Sequence, residues 1–80
     1  MPRKSIAQQV DRLKTRRRST RPAELHRFLV DAGFERRMGK GDHWVYSHPE
    51  LAYPLTIDPR NPLLPAYVSK ALRAVKEVTK

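Results

Sequence analysis

The chain has 80 residues, with seventeen lysines and arginines against eight acids for a formal net charge of +9, and it has no cysteine. That length supports one small domain, and the lack of cysteine excludes a disulfide framework and a thiolate metal site while fitting a reducing cytosol. No apolar run approaches the roughly 18 residues of a membrane span, and the N-terminus has no secretory apolar core. The expectation is therefore a soluble, cytoplasmic protein without membrane contact.

The charge is unevenly placed. Residues 1–21 hold eight basic side chains against Asp11 alone, a net of +7, and positions 22–80 hold nine basic and seven acidic residues, a net of +2. The basicity sits in an arm, here taken as residues 1–20, ahead of a nearly balanced domain over residues 21–80. Such an arm suits phosphate backbones or another acidic surface. Within it, Ser5 and Gln8 have capping-box spacing, and Ile6, Val10 and Leu13 recur at helical intervals. A short helix with a thin apolar stripe is expected, followed by a basic hinge over residues 15–21.

Pro22 suits the first turn of a helix, where its missing N–H has no intrahelical partner, and Glu24 places negative charge at the positive end of the dipole. Leu25, Phe28, Leu29 and Ala32 form an amphipathic face, and Gly33 sits where a left-handed residue ends the helix. His26 falls beside that stripe and reads as a surface residue. Residues 34–38 are expected as a first strand, 43–47 as a second and 53–57 as a third. If five residues close the second hairpin, Val45 lies opposite Leu55 and His43 opposite Ile57, with Trp44 and Tyr46 on the other face. A one-residue slip reverses that assignment. The prolines at 59 and 62 make residues 58–62 a rigid connector. Pro65 then opens a last helix with Val68, Ala71, Leu72 and Val75 inward. The fold class is α+β: two helices on one face of a three-stranded antiparallel sheet, with the arm in front.

The chemistry gathers at Met38-Gly39-Lys40-Gly41-Asp42-His43. Glycines permit a tight turn or close backbone approach to a ligand, and imidazole exchanges protons near neutral pH. The turn suits a phosphate-bearing substrate. Lys40 and the amides of Gly39 and Gly41 offer positive charge and N–H donors where charge develops. Arg36, Arg37 and Arg60 are further phosphate candidates, and Lys70 and Arg73 are placed to track phosphates along the last helix. Trp44 and Tyr46 suit base stacking or a protein contact. His48, in a His-Pro-Glu turn, reads as structural. The three histidines show no metal-ligand spacing.

Taken in order, Glu24-Leu25, Ala32-Gly33-Phe34, Gly41-Asp42-His43, Ser47-His48-Pro49, Thr56-Ile57 and Leu64-Pro65-Ala66-Tyr67-Val68 resemble a HicA-type toxin, the small RNase of a type II toxin–antitoxin pair. The resemblance spans residues 22–75. It implies an αβββα fold similar to a double-stranded RNA-binding domain, and cleavage of mRNA without metal or other cofactor, with His43 as the catalytic residue. It also implies a HicB-like antitoxin as partner. Two positions depart from the family pattern: Asp42 stands where serine is more usual, and Asn61 stands where many relatives carry a second histidine. The reading from a different class is a non-catalytic RNA-binding module that uses the arm and the exposed sheet and helix surfaces. A third is a chain acting by protein contact, its arm docked on an acidic partner.

Overall fold

Ser5 opens the first helix, α1 (Ile6–Thr15), through the expected capping box: Gln8 N–H donates to Ser5 Oγ and Ser5 N–H to Gln8 Oε1, each at 3.1 Å. The computed structural model describes residues 5–39, 41–60 and 63–79. Three apolar residues cannot hold an isolated helix of this length in water, and α1 is not isolated. Leu13 is buried, and Ile6 and Val10 pack against the same core. Gln9 Nε2 donates to Asp31 Oδ2 at 3.3 Å, while Arg12 Nε lies 3.5 Å and Arg16 Nη1 4.0 Å from Glu24 Oε2. These contacts at both ends of the next helix make α1 antiparallel to it. The described part of the arm is thus a packed element. After a 3₁₀ turn over Arg17–Ser19, Thr20 is buried with its hydroxyl donating to Arg16 O at 2.8 Å.

Helix α2 (Pro22–Asp31) has proline in its first turn and Leu25, Phe28 and Leu29 inward. Its end is the expected glycine stop. Gly33 has φ +94°, its N–H donates to Val30 O, and Phe34 N–H donates to Leu29 O, each at 3.0 Å, the paired bonds of a Schellman motif. Strands β1 (Glu35–Met38), β2 (Trp44–Ser47) and β3 (Leu55–Ile57) form an antiparallel sheet in the order β1-β2-β3. Helix α3 (Pro65–Val78) buries Val68, Ala71, Leu72, Ala74 and Val75. Helix α2 packs on β1, α3 on β3, and α1 on both helices. The fold is α+β, consistent with an αβββα layout carrying one additional N-terminal helix.

The β2–β3 register differs from the expected one by a single residue. Trp44 pairs with Ile57, Val45 with Thr56 and Tyr46 with Leu55. The connecting loop runs from His48 to Pro54, because Tyr53 and Pro54 stay outside the strand and leave Tyr53 82 % exposed. Two bonds to His48 set this loop: Glu50 N–H donates to its Nδ1 and Leu51 N–H to its carbonyl, both at 3.0 Å. The His48 ring lies 5.0 Å from that of Phe34. Side chains alternate across a sheet, so the slip exchanges the faces. Tyr46 is fully buried with Leu55 and Ile57, and Trp44 packs beside them. The opposite face presents Glu35, Arg37 and Thr56 to solvent, with Val45 half-buried.

Candidate active site

Two elements build the site, the β1–β2 turn and the segment that leaves β3. The turn closes with Gly39 N–H donating to His43 O at 2.9 Å. Gly39 has to lack a side chain, since a Cβ there would lie 2.9 Å from Val45 Cγ2 and 3.2 Å from His43 O. Gly41 turns the chain with φ +62°, a left-handed conformation that costs most other residues roughly 1–2 kcal/mol. His43 leaves this turn exposed, one residue before β2.

Trp44 pairs with Ile57, and that register carried one residue outward brings His43 alongside Asp58. Both belong to the solvent face of the sheet. An open cleft of about 550 Å³ lies between the two segments, lined by Gly41, Asp42, His43, Asp58, Pro59 and Arg60. Asp58 is the less exposed partner of an ion pair, its Oδ2 2.7 Å from Arg60 Nε. Arg60 N–H also donates to Asp58 O at 2.8 Å. A guanidinium has five N–H groups, so anchoring through Nε leaves the outer nitrogens to meet an anion. The cleft therefore sets an imidazole beside an oriented cation.

The other sequence candidates are dispersed. Gly41 and Arg60 share the cleft with His43. Gly39 adjoins it, but its N–H is spent on His43 O and is no donor for a phosphate. Arg37 pairs with Val45 on the same sheet face, with its Nε 4.0 Å from Glu35 Oε1. Arg36 points to the other face, where its guanidinium carbon lies 5.0 Å from the Trp44 ring centroid. Trp44 and Tyr46 also face the helices, the orientation that the one-residue slip in register produces. Lys70 and Arg73 line a separate groove beside β3. Lys40 and Asn61 lie outside the described residues.

Two residues of consequence escaped the sequence argument. The sequence marks Asp58 only as part of the connector. His26 is half-buried, and its Nδ1 lies 2.7 Å from the hydroxyl of Tyr46. Its ring meets that of Trp44 edge-on at 5.8 Å. Burial, aided by the Arg36 charge, holds the His26 imidazole below its ordinary pKa. Burial also pushes the Tyr46 phenol up to about 12, against a smaller opposing effect of the Arg36 charge and hydrogen bond. The Tyr46 hydroxyl is within hydrogen-bond distance of His26 Nδ1, and the Arg36 charge acts on both groups. The signal for this cluster was the matched pair of apolar positions, 44 and 46 against 55 and 57.

No family model matches this chain, nor does any curated protein or solved structure.

Proposed function

We propose that this chain is an endoribonuclease of the HicA toxin type that cleaves mRNA without a metal, with His43 as its proton-transfer residue. The observation that carries the proposal is one cleft holding both His43 and an arginine braced by Asp58. In this reading His43 takes the proton from a ribose 2′-OH, and the 2′ oxygen attacks the adjacent phosphorus. The P–O5′ bond breaks, the 5′ oxygen is protonated by water, and a 2′,3′-cyclic phosphate remains. Arg60 meets the charge that grows on the non-bridging oxygens, the group whose stabilisation lowers such barriers most. A single positioned base contributes about 10²–10⁴ in rate, so the enzyme is expected to be slow. Asp42 and Asp58 bring negative charge to the same cleft, which places the burden of phosphate attraction on Arg60 and the other basic residues of the chain. Among the described residues no three side chains of ligand type converge on a metal position. The helix–three strands–helix order supports the likeness to a double-stranded RNA-binding domain, and a HicB-like antitoxin is the partner this reading requires.

The experiment incubates end-labelled RNA with purified wild type and His43→Ala in the presence of EDTA. Cleavage by the wild type alone is the expected result, matched in cells by growth arrest that the product of a neighbouring reading frame relieves. Intact RNA with both proteins would sink the proposal. A second reading, RNA binding without cleavage, is favoured by the exposed arginines Arg16, Arg17 and Arg18 around the 3₁₀ turn. It predicts salt-sensitive binding shared by wild type and mutant, with cleavage by neither.

A further inference from the structure

The strand at the far edge of the sheet meets α3 in a groove apart from the His43 cleft. Strand β3 is last in the order β1-β2-β3, and no described strand pairs with its other side. An unpaired edge offers N–H and C=O groups to any extended chain. The groove beside it has a volume of about 270 Å³ and an apolar floor of Leu51, Leu55 and Ala74. Small-molecule sites run from about 300 to 1,000 Å³, so this one is sized for a side chain. Its rim carries Lys70 and Arg73 against Glu77, with the Lys70 ammonium 5.6 Å from the Tyr67 ring centroid. Tyr53, 82 % exposed, stands at the mouth.

We propose that the β3 edge and this groove form a docking surface for an extended acidic segment of a partner protein, added to the sheet as a fourth strand. Leu55 and Ile57 point toward the helices, so a residue paired with Leu55 points the same way and enters the groove. Alternate residues of the added strand then carry specificity, while main-chain bonds to β3 supply affinity. An apolar side chain fills the floor, and a neighbouring carboxylate meets Lys70 and Arg73. A second copy of this chain does not fit, because its edge carries the same two cations and the chain has a net charge of +9. The apolar floor and the free strand edge favour a peptide over RNA, whose sugar–phosphate chain has no group to bury there. The exposed ring of Tyr53 suits a protein interface, where tyrosines are enriched among anchors.

The surface is separate from the His43 cleft. The groove adjoins the loop over residues 48–54, at one end of β2, whereas His43 precedes the other end. A segment docked here leaves the cleft open, and the inference stands whether or not the cleft cleaves RNA.

The test titrates ¹⁵N-labelled protein with an N-acetylated Glu-Val-Glu-Val-Glu amide, with Lys-Val-Lys-Val-Lys and with hexauridylate as comparisons. The expected result is saturable amide shifts over residues 55–57 and 73–77 with the acidic peptide alone. Lys70→Glu combined with Arg73→Glu is expected to weaken that binding by about fivefold or more, two exposed charges being reversed. Both residues are exposed, and an unchanged spectrum elsewhere in the double variant verifies its fold. No shifts at millimolar acidic peptide, shifts confined to residues 41–43, or groove shifts with hexauridylate but not the peptide would each overturn the proposal.

Discussion

Replacing Tyr46 with phenylalanine removes one oxygen atom from the core and tests the buried hydroxyl that joins the sheet to His26. The ring has no exposed surface, and its oxygen sits 2.7 Å from His26 Nδ1. The phenyl ring fills nearly the same volume, so no cavity forms and the loss is that of the polar contacts. His26 and Arg36 are only partly covered and recover water in part. The net cost is then that of ordinary hydrogen bonds, about 0.5–1.5 kcal/mol. In a domain of 60–100 residues, 1 kcal/mol moves the melting temperature by about 4–8 °C. Thermal unfolding followed by circular dichroism at pH 7.5 measures it directly. Tyr46→Phe, His26→Gln and the double variant should form a non-additive cycle, with the double variant no worse than about 0.5 kcal/mol below the weaker single. Additive losses, or a melting temperature unmoved by Tyr46→Phe, would refute the coupling of Tyr46 to His26. The cluster also has a pH signature. The His26 pKa is 6.5 when unperturbed and lower in the folded chain, so as pH falls the unfolded chain binds the proton first. Stability is therefore fully present above pH 6.5 and declines below it until the folded value is passed. His26→Gln should abolish that component, and a wild type and variant that lose stability in parallel between neutral and mildly acidic pH would refute the assignment.

Further substitutions probe other parts of the fold. Gly39→Ala sets a Cβ 2.9 Å from Val45 Cγ2 and should cost about 1–3 kcal/mol in urea unfolding, as overpacking does; Val45→Ala in the same chain should recover part of it, and an unaffected single variant would show the turn to be laxer than described. Leu13→Ala should cost about 2–4 kcal/mol, the range for a buried leucine, because Leu13 is only 2 % exposed; a change near zero would mean that α1 does not hold its place on α2 and α3 in solution. Arg60→Ala should lower RNA cleavage by about tenfold, less than loss of a sheltered oxyanion donor because the guanidinium stands in water. Asp58→Asn should lower it less, through a looser Arg60, with both effects read in single-turnover rates; full activity in Arg60→Ala would remove this residue from the cleft's chemistry.

The helices were legible because their signals are local. Pro22 with Leu25, Phe28, Leu29 and Gly33 marks the start, face and end of α2 within one short window, and the observed Gly33 φ of +94° is what that window required. Pro65 with Val68, Ala71, Leu72 and Val75 does the same for α3. The hairpin of β2 and β3 was legible as a hairpin but not in register. Register depends on loop length, and loop length depends on contacts that no local pattern announces. His48 bonds two residues of its own loop and sets its ring, tilted, against Phe34, which keeps Tyr53 and Pro54 out of the strand. Aromatic residues favour strands in general, and Tyr53 misled for that reason. The arm's helix was legible from its capping box and its thin stripe of Ile6, Val10 and Leu13, but its place was not, because docking needed the surface that α2 and α3 provide. The cleft was half legible. His43 stood out by residue type, whereas Asp58 became its neighbour only through the register.

That register ties the core to the candidate site through a single parity. With Trp44 and Tyr46 turned toward the helices, His43 and Val45 must turn toward solvent, since neighbouring side chains in a strand take opposite faces. A slip by one residue would expose both aromatics and carry His43 toward the helix layer, away from Asp58 and Arg60. The choice between the two arrangements is energetic. The observed one buries the whole of Tyr46 with Leu55 and Ile57, sets Arg36 over Trp44, and closes the bond to His26 from across the helix–sheet boundary. The slipped one buries Val45 in their place, and full burial of a side chain of that size contributes about 1.5–3 kcal/mol, with no polar contact to add. The cluster on the helix side is therefore the device that aims a histidine on the opposite face of the sheet. Substitutions at His26 or Arg36 act on the cleft by shrinking the margin against the wrong register, so their effect on cleavage should track their effect on stability. Substitutions at Arg60 act on the cleft alone, and their effect on cleavage should leave stability unmoved.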